Sequence, residues 1–331
     1  MNGRQFETEI REQPGVLAAL AASRAAAQLQ TAIGDRAPLF IGSGSSYFVA
    51  QLATLAWQRT GRRAAALAAS EARLGDWAHR GRCVVALSQS GRTADVLAAL
   101  DTLAPSRTIA LTNDLASPLA GRADIAIDVL AGAERAVPAS KSVTAMAALV
   151  LWAASRGLDG DAPASEELTR TAGGLRAWLE GAASAQTDAI AGLLEPAHSI
   201  VVIGAGFGVP VAAEIALKIK EASYRHADGF GAGEFQHGST AILDPTRGLI
   251  GILDAFNRAP VEAVLEVARG AHAIAVALGE GIPDVPVFGA PAAGRFAPLA
   301  WIAAGQMLAL ALARRAGIDS DAPRGLQKFL D

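Results

Sequence analysis

The chain has 331 residues, 51% hydrophobic and 18% charged, which is length for two ordinary domains and ample material for a buried core. Its formal net charge of -3, with no block of like charge, leaves no electrostatic footprint for nucleic acid and no polybasic segment for a membrane surface. A single cysteine, Cys83, excludes an intrachain disulfide and fits a reducing cytoplasm, and the opening MNGRQFETEIREQP lacks the apolar stretch of a secretory signal.

Residues 5–29 read as an alanine-rich helix interrupted near Pro14 and Gly15. APLFIGSG is a short apolar strand that ends in a glycine–serine turn, and 47–59 reads as the helix that follows. Strands are predicted at 64–69, 84–87, 108–111 and 125–129, with a helix at 94–102 between the second and third of these. Strands alternating with helices imply a parallel sheet covered on both faces. An apolar helix at 143–154 leads to RGLDGDAPASEE, 156–167, which is polar and acidic and reads as a linker into a long helix at roughly 165–194. Then the pattern restarts. SIVVIGAG at 199–206 resembles LFIGSG at 39–44, and RGLIGILDAFNRA at 247–259 has the strand–turn–helix shape of CVVALSQSGRTA, each about 160 residues on. Two tandem copies of one αβ module are expected, 1–158 and 159–331. Residues 296–313, apolar apart from Gln306, are long enough to be a membrane-span candidate. Pro298, Gly305 and the many alanines favour a buried helix instead.

The two copies differ in one loop. The first has Ser88, Gln89, Ser90 and Thr93 around Gly91; the second has Asp254, Ala255, Phe256 and Ala259. A strand–loop–helix turn aims backbone N–H groups and the positive end of the helix dipole outward, small hydroxyls add donors without bulk, and glycine admits close approach. With GSGSSY at 42–47, the first copy has two such turns, suited to a phosphate monoester. They lack the GxxxxGK[ST] of a nucleotide loop and the third glycine of a dinucleotide fingerprint. The plain alternative is serine helix caps, but one cap needs one side chain and this loop has four.

The ionisable groups gather in the second copy. Glu214, Lys218 and Glu221 recur at helical spacing, and a solvated salt-bridged face is their ordinary explanation. The helix is otherwise apolar, which would instead turn some of them toward a cavity. His226 and His237 flank the glycine-rich HADGFGAGEFQH. None of the five histidines stands at HxxxH spacing or beside a cysteine, so a metal site is not expected. A histidine after mobile, glycine-rich backbone suits proton transfer. PRGLQKFLD near the end either docks Lys328 into a site or is a solvated tail.

SQSGRTAD resembles the phosphate loop of sugar isomerase (SIS) domains. The chain resembles, almost end to end, the two-module branch of that family, which includes the isomerase domain of glucosamine-6-phosphate synthases and the aminosugar-6-phosphate deaminases. EIREQPGVL, GSGSSY, AGAERAVPASKSVTAM, ALKIKEASYRHADGFGAGEFQHGSTAILD and DAPRGLQKFLD follow in the family's order. The resemblance implies an α/β fold of two tandem modules, each a flavodoxin-like three-layer αβα sandwich. It implies that Ser46, Ser88, Gln89, Ser90 and Thr93 hold a sugar 6-phosphate, and that Ser43, Ser45, Val137 and Gln327 line the sugar. It makes Glu221 the base that moves a proton between C1 and C2, His237 the ring-opening group supplied by a partner subunit, and Lys218 the stabiliser of the intermediate's charge. Lys328 would reach the sugar carbonyl, with a Schiff base as one form of that contact. No metal or organic cofactor is implied. A cytoplasmic homodimer with sites shared between subunits is expected.

Arg92 stands where an acidic residue is common, Ala139 where the synthases have serine, and Gln327 where they have alanine. The last two leave the sugar's identity open. No glutaminase domain precedes Met1, so release of ammonia from an aminosugar 6-phosphate, glucosamine 6-phosphate first, is expected ahead of glutamine-driven synthesis. A galactosamine-6-phosphate deaminase, a fructosamine-6-phosphate deglycase, an aldose–ketose isomerase and a non-catalytic sugar-phosphate sensor are the alternatives.

Overall fold

The computed structural model describes residues 2–75, 81–159, 161–292 and 294–328, with backbone alone at 156–159, 161 and 162. Among the described residues ten strands form two sheets, parallel at every pairing. The first holds β1 (Leu39–Gly42), β2 (Ala65–Ala68), β3 (Cys83–Leu87), β4 (Arg107–Thr112) and β5 (Ile125–Asp128), in the order β2-β1-β3-β4-β5. The second holds β6 (Ser199–Gly204), β7 (His226–Gly231), β8 (Arg247–Leu253), β9 (Ile274–Gly279) and β10 (Val287–Phe288), in the order β10-β9-β8-β6-β7. Numbered from its own first strand, the second sheet repeats the order of the first. The tandem αβ modules expected from the repeat are therefore present, with the doubly wound topology of flavodoxin-like folds.

Strands β1 and β3, and the Ile109–Leu111 centre of β4, read as unbroken apolar runs because both faces of the sheet are covered. Alternate residues face opposite ways. Leu39, Ile41, Val84, Ala86 and Ala110 share a core with Val96, Ala99, Leu100 and Leu103 of helix Ala94–Leu103. On the other face Phe40 meets Trp57 of helix Ser45–Arg59 edge-on, with ring centroids 5.2 Å apart. In the second sheet Val201, Ile203, Leu249 and Ala277 pack with Val261, Val264 and Leu265 of helix Arg258–Gly270.

The chain divides into two compact units, each gathered from several segments. One contains Gly15–Glu134, Lys141–Arg170 and the described residues Gln327 and Lys328, and carries the first sheet. The other contains residues 2–14, Arg135–Ser140 and Thr171–Leu326, and carries the second.

Three elements depart from the sequence reading. The first helix, Arg4–Ala21, runs unbroken through Pro14, and the break falls at 22–24, before helix Ala25–Ile33. Phe6, Ile10, Leu17 and Leu20, which fall on one helical face, are buried. At about 1.5–3 kcal/mol each, they outweigh the ~3 kcal/mol that an interior proline costs. The 156–167 segment is not an extended linker. Helix Lys141–Asp159 extends into it and helix Asp161–Glu180 follows, with its proline in the first turn, where the missing N–H is harmless. The single helix expected at 165–194 is two, Asp161–Glu180 and Ala183–Leu194.

The long apolar helix is Ala297–Arg315, and 94% of its apolar window is covered within the chain. Gln306 is its one polar interior residue. It accepts from Gln13 Nε2 at 2.7 Å and donates to the Ser140 carbonyl at 3.3 Å, so its burial leaves no amide unsatisfied.

The glycine-rich HADGFG is ordered strand, not mobile loop. Gly229 in β7 lies so close to helix Gly208–Ser223 that an added Cβ would sit 2.4 Å from the Ala213 nitrogen. Gly229→Ala should therefore destabilise the protein by about 1–3 kcal/mol. Gly233→Ala, whose Cβ would meet nothing within 4 Å, should not. Thermal unfolding of the two variants side by side checks the difference.

Candidate functional site

Both serine-bearing turns of the first sheet lie at the carboxyl ends of neighbouring strands, β1 and β3. The strand order reverses there, and crossovers leave in opposite directions. Open parallel sheets bind their ligands in the crevice this creates.

The β1 turn is tight because the following helix begins at once. A Cβ on Gly42 would lie 2.7 Å from the Ser46 carbonyl carbon, so only glycine lets the first helical turn close on the strand end. Ser46 N donates to Ser43 O at 3.1 Å, and Gly44 takes the N-cap position with φ +54. Ser43 Oγ is buried without a hydrogen-bond partner among the described residues, while the residues Ser45 and Ser46 are half-buried.

The β3 loop is a small network. Buried Ser88 extends the β3–β4 ladder through its N–H to Leu111 O. Its hydroxyl accepts from Gly91 N at 3.1 Å and pairs with the Thr93 hydroxyl at 3.0 Å. Gly91 has φ +62, and a Cβ there would overlap Ser117 Oγ at 2.0 Å, so conformation and space both demand glycine. Ser90 Oγ accepts from Arg92 N, and the Gln89 carbonyl accepts from Asn113 N and Thr112 Oγ1. Neither Gly44 nor Thr93 caps its helix with a side chain. The serines and threonine are thus not helix caps. They fix the loop and leave the helix starts open to an external acceptor. The Arg92 guanidinium is held 3.0 Å from Asp114, so its charge is shared with a carboxylate rather than given wholly to a ligand.

The matching turn of the second sheet is closed by its own side chain. Asp254 Oδ1 accepts from Phe256 N at 2.8 Å and Asn257 N at 2.9 Å, and Asn257 Oδ1 accepts from Asp254 N. A carboxylate occupies the place of Ser88 and repels a second anion. Gly204 nevertheless keeps the tight approach of Gly42, with an added Cβ 2.3 Å from Gly208 O. The tight glycine of the turn is retained in both sheets and the hydroxyl-rich loop in one.

Lys328 belongs to the first unit and is not a solvated tail. Its ammonium lies 3.3 Å from Glu134 Oε2, with side-chain exposures of 15% for the lysine and 0% for the glutamate. Gln327 beside it is exposed.

The other unit carries the remaining candidates. Glu214, Lys218 and Glu221 lie one turn apart along helix Gly208–Ser223, and this is not a solvated face. Lys218 is 1% exposed and Glu214 2%, with Nζ to Oε1 at 3.8 Å. Lys218 also pairs with Glu221, which at 21% exposure is the end of the ladder that reaches solvent. Lys220, on the outer face, pairs with Asp228. His237 ends the short helix Ala232–Gln236 and is exposed, with no described partner for its ring. Val137 is half-buried, its N–H donating to Asp321 O at 3.2 Å. Just before it, the buried Glu9 carboxylate accepts from the backbone N–H groups of Arg135 and Ala136. Cys83, inside β3, is no nucleophile: burial raises its thiol pKa and keeps it protonated.

The SIS domain profile matches residues 36–156 and 193–280. The chain belongs to the SIS domain family. The glutamine–fructose-6-phosphate aminotransferase (isomerizing) of Pyrobaculum aerophilum is 31% identical over 97% of this chain and 56% of its own length. The Halobacterium salinarum protein of the same name is 36% identical over 74% of this chain and 43% of its own. The chain spans about half the length of the curated relatives it matches. Among solved structures, the C-terminal domain of glucosamine–fructose-6-phosphate aminotransferase from Francisella tularensis superposes with a TM-score of 0.86 at 24% identity, covering 97% of this chain and 98% of that one. Glucosamine-6-phosphate deaminase from Thermotoga maritima superposes with a TM-score of 0.81 at 22% identity, covering 98% and 99%. At these identities the likeness is one of fold.

The two SIS matches contain both serine turns and the Glu214–Lys218–Glu221 ladder, whereas Gln327 and Lys328 lie beyond them. Sequence reasoning missed Glu134, Glu9 and Asp321. Each is a carboxylate with at least one partner far along the chain, so no local spacing announces it.

The contrast between the two SIS turns yields a direct test. Ser88→Asp should place a carboxylate on the Gly91 N–H, as Asp254 does in the second module. Affinity for inorganic phosphate or a sugar 6-phosphate should fall by at least roughly tenfold, about 1.4 kcal/mol. Titration calorimetry on the folded variant measures it.

Proposed function

We propose that the chain is a phosphosugar enzyme that converts an aminosugar 6-phosphate, glucosamine 6-phosphate foremost, into a ketose 6-phosphate and ammonia. The observation that carries this reading is the Glu214–Lys218–Glu221 ladder. An ammonium and a carboxylate are buried at 1% and 2% exposure, and a second carboxylate reaches solvent. Burying ions is poor value for stability. A sensor needs only the phosphate turns, whereas a base for a weakly acidic C–H needs a carboxylate held in place and a nearby cation.

In this reading the β1 and β3 turns hold the 6-phosphate through Ser46, Ser88, Gln89, Ser90 and Thr93. Ser43, Ser45, Val137 and Gln327 line the sugar. His237 assists ring opening to the aldehyde. Glu221 removes the proton from C2 and returns it to C1, so electron density passes through a C1–C2 double bond and ends as a carbon–nitrogen double bond at C2. Lys218 offsets the charge that develops. Water adds to this imine, and the amino group leaves as ammonia. One water is consumed and nothing is oxidised or reduced overall. The exposed ring of His237, without a described partner in its own chain, supports a homodimer in which that ring serves the neighbouring copy.

The test is ammonia release with glucosamine 6-phosphate, galactosamine 6-phosphate and a fructosamine 6-phosphate supplied separately, and ketose phosphate assayed in parallel. Ammonia from one aminosugar phosphate supports the reading and names the sugar. Ketose without ammonia, or binding without turnover, replaces it with the isomerase or the sensor. Glu221→Gln should lower kcat by about 10²–10⁴-fold while phosphate-ester affinity stays within about twofold. Near-normal kcat in that variant would remove Glu221 as the base. His237→Asn should slow cyclic substrates more than open-chain ones.

A further inference from the structure

Glu134 follows β5 at the carboxyl edge of the first sheet, and its side chain is fully buried. Its Oε1 accepts from Ser142 N at 3.1 Å and its Oε2 from Ser142 Oγ at 2.6 Å, within the first turn of helix Lys141–Asp159. The same Oε2 receives the Lys328 ammonium, from 194 residues along the chain. The segment that bears Glu134 is tied to the phosphate turn through one side chain. Asn113 N donates to Gln89 O at 3.0 Å, Asn113 Oδ1 accepts from Ala131 N at 3.0 Å, and Asn113 Nδ2 donates to Gly132 O at 2.6 Å. From Gln89 to Lys328 there is thus a continuous run of backbone and hydrogen bonds along one edge of one sheet.

We propose that Glu134 is the positioning residue for Lys328: it seats the terminal ammonium at the edge of the sheet that carries the phosphate turns, ready for the sugar carbonyl. The proposal rests on the enzymatic reading above. Capping the 141–159 helix does not by itself explain this glutamate. A cap needs one neutral acceptor, and a hydroxyl or amide provides it. A fully buried carboxylate with a lysine brought from the far end of the chain adds little net stability. It does fix where the lysine sits, and reactive groups must be held to a fraction of an ångström. Two bonds from Ser142 stiffen the carboxylate, so the seat is set before any ligand arrives. Should a Schiff base form, the ammonium must first lose a proton, and Glu134 Oε2 is the acceptor in contact with it.

Two readouts separate this proposal from the reading beneath it. Glu134→Gln keeps an acceptor for Ser142 and removes the charge for Lys328. Its kcat on the aminosugar phosphate should drop about ten- to a hundredfold, with phosphate-ester affinity unchanged. In a Lys328→Met background the same substitution should cost nothing further, because it acts through the lysine; losses that multiply overturn the proposal. The second readout needs no turnover. Acylation of Lys328 by a water-soluble amine reagent, followed by peptide mass spectrometry, should be several-fold faster in Glu134→Gln than in the wild type, judged against exposed Lys220 as internal standard. Equal rates overturn the proposal whether or not any sugar phosphate is turned over. If Glu134→Gln does not fold, Ser142→Ala removes the 2.6 Å bond and leaves the backbone N–H in place. Lys328 acylation should quicken there too, and an unchanged rate is equally fatal.

Discussion

Two helices of the first module follow its serine-bearing turns without side-chain caps, and what those turns can offer an anion depends on that omission. The first N–H groups of a helix must find acceptors, and a chain can supply them itself or leave them for a ligand. In the second module Asp254 accepts from the N–H groups of Phe256 and Asn257, just before helix Arg258–Gly270, which also begins without a side-chain cap. The first module spends its hydroxyls elsewhere, Ser88 on Gly91 and Thr93, Ser90 on Arg92, and so holds the loop rigid without filling it. Glycines 42 and 91 are what make this possible, since a side chain at the first would collide with Ser46 of its own turn and one at the second with Ser117.

The second constraint is charge without water. Lys218 sits at 1% exposure between two carboxylates on its own helix, and Glu134 at 0% between Ser142 and Lys328. Neither arrangement is an economical way to hold a fold, because hydrophobic residues of similar volume would do as well. Both are effective ways to hold a charged atom at a fixed point. Gln306 shows the cheaper alternative used where position alone is wanted: a neutral amide, satisfied by Gln13 and the Ser140 carbonyl, inside an otherwise apolar helix.

Much of this was legible in the amino-acid order because the signals are local. Apolar runs such as CVVAL and SIVVIG become fully buried strands, and the 160-residue repeat becomes two sheets of one topology. The serine loop, too, was readable from composition alone. Where the signal depended on burial, reading failed. Pro14 reads as a break, but four buried side chains carry the helix through it. The glycines of HADGFG read as mobile, but Gly229 is small because the Ala213 backbone lies against it. Glu214 and Lys218 at i,i+4 look the same in sequence whether solvated or buried. Glu134 and Glu9 are invisible for a different reason. Their partners, Lys328 in one case and the Arg135–Ala136 backbone in the other, lie more than a hundred residues away.

Duplication accounts for the way these devices are distributed. A doubly wound module offers one ligand-binding edge, and the two serine-bearing turns of the first copy stand at it. With two copies, one turn carries hydroxyls while the other carries Asp254. The Glu214–Lys218–Glu221 ladder lies on helix Gly208–Ser223 of the copy whose turn holds Asp254. The geometry of the Gly42 and Gly204 turns is common to both copies because it belongs to the fold. The residues that differ, Ser88 against Asp254 and Gly91 against Asn257, belong to the task each copy has taken on.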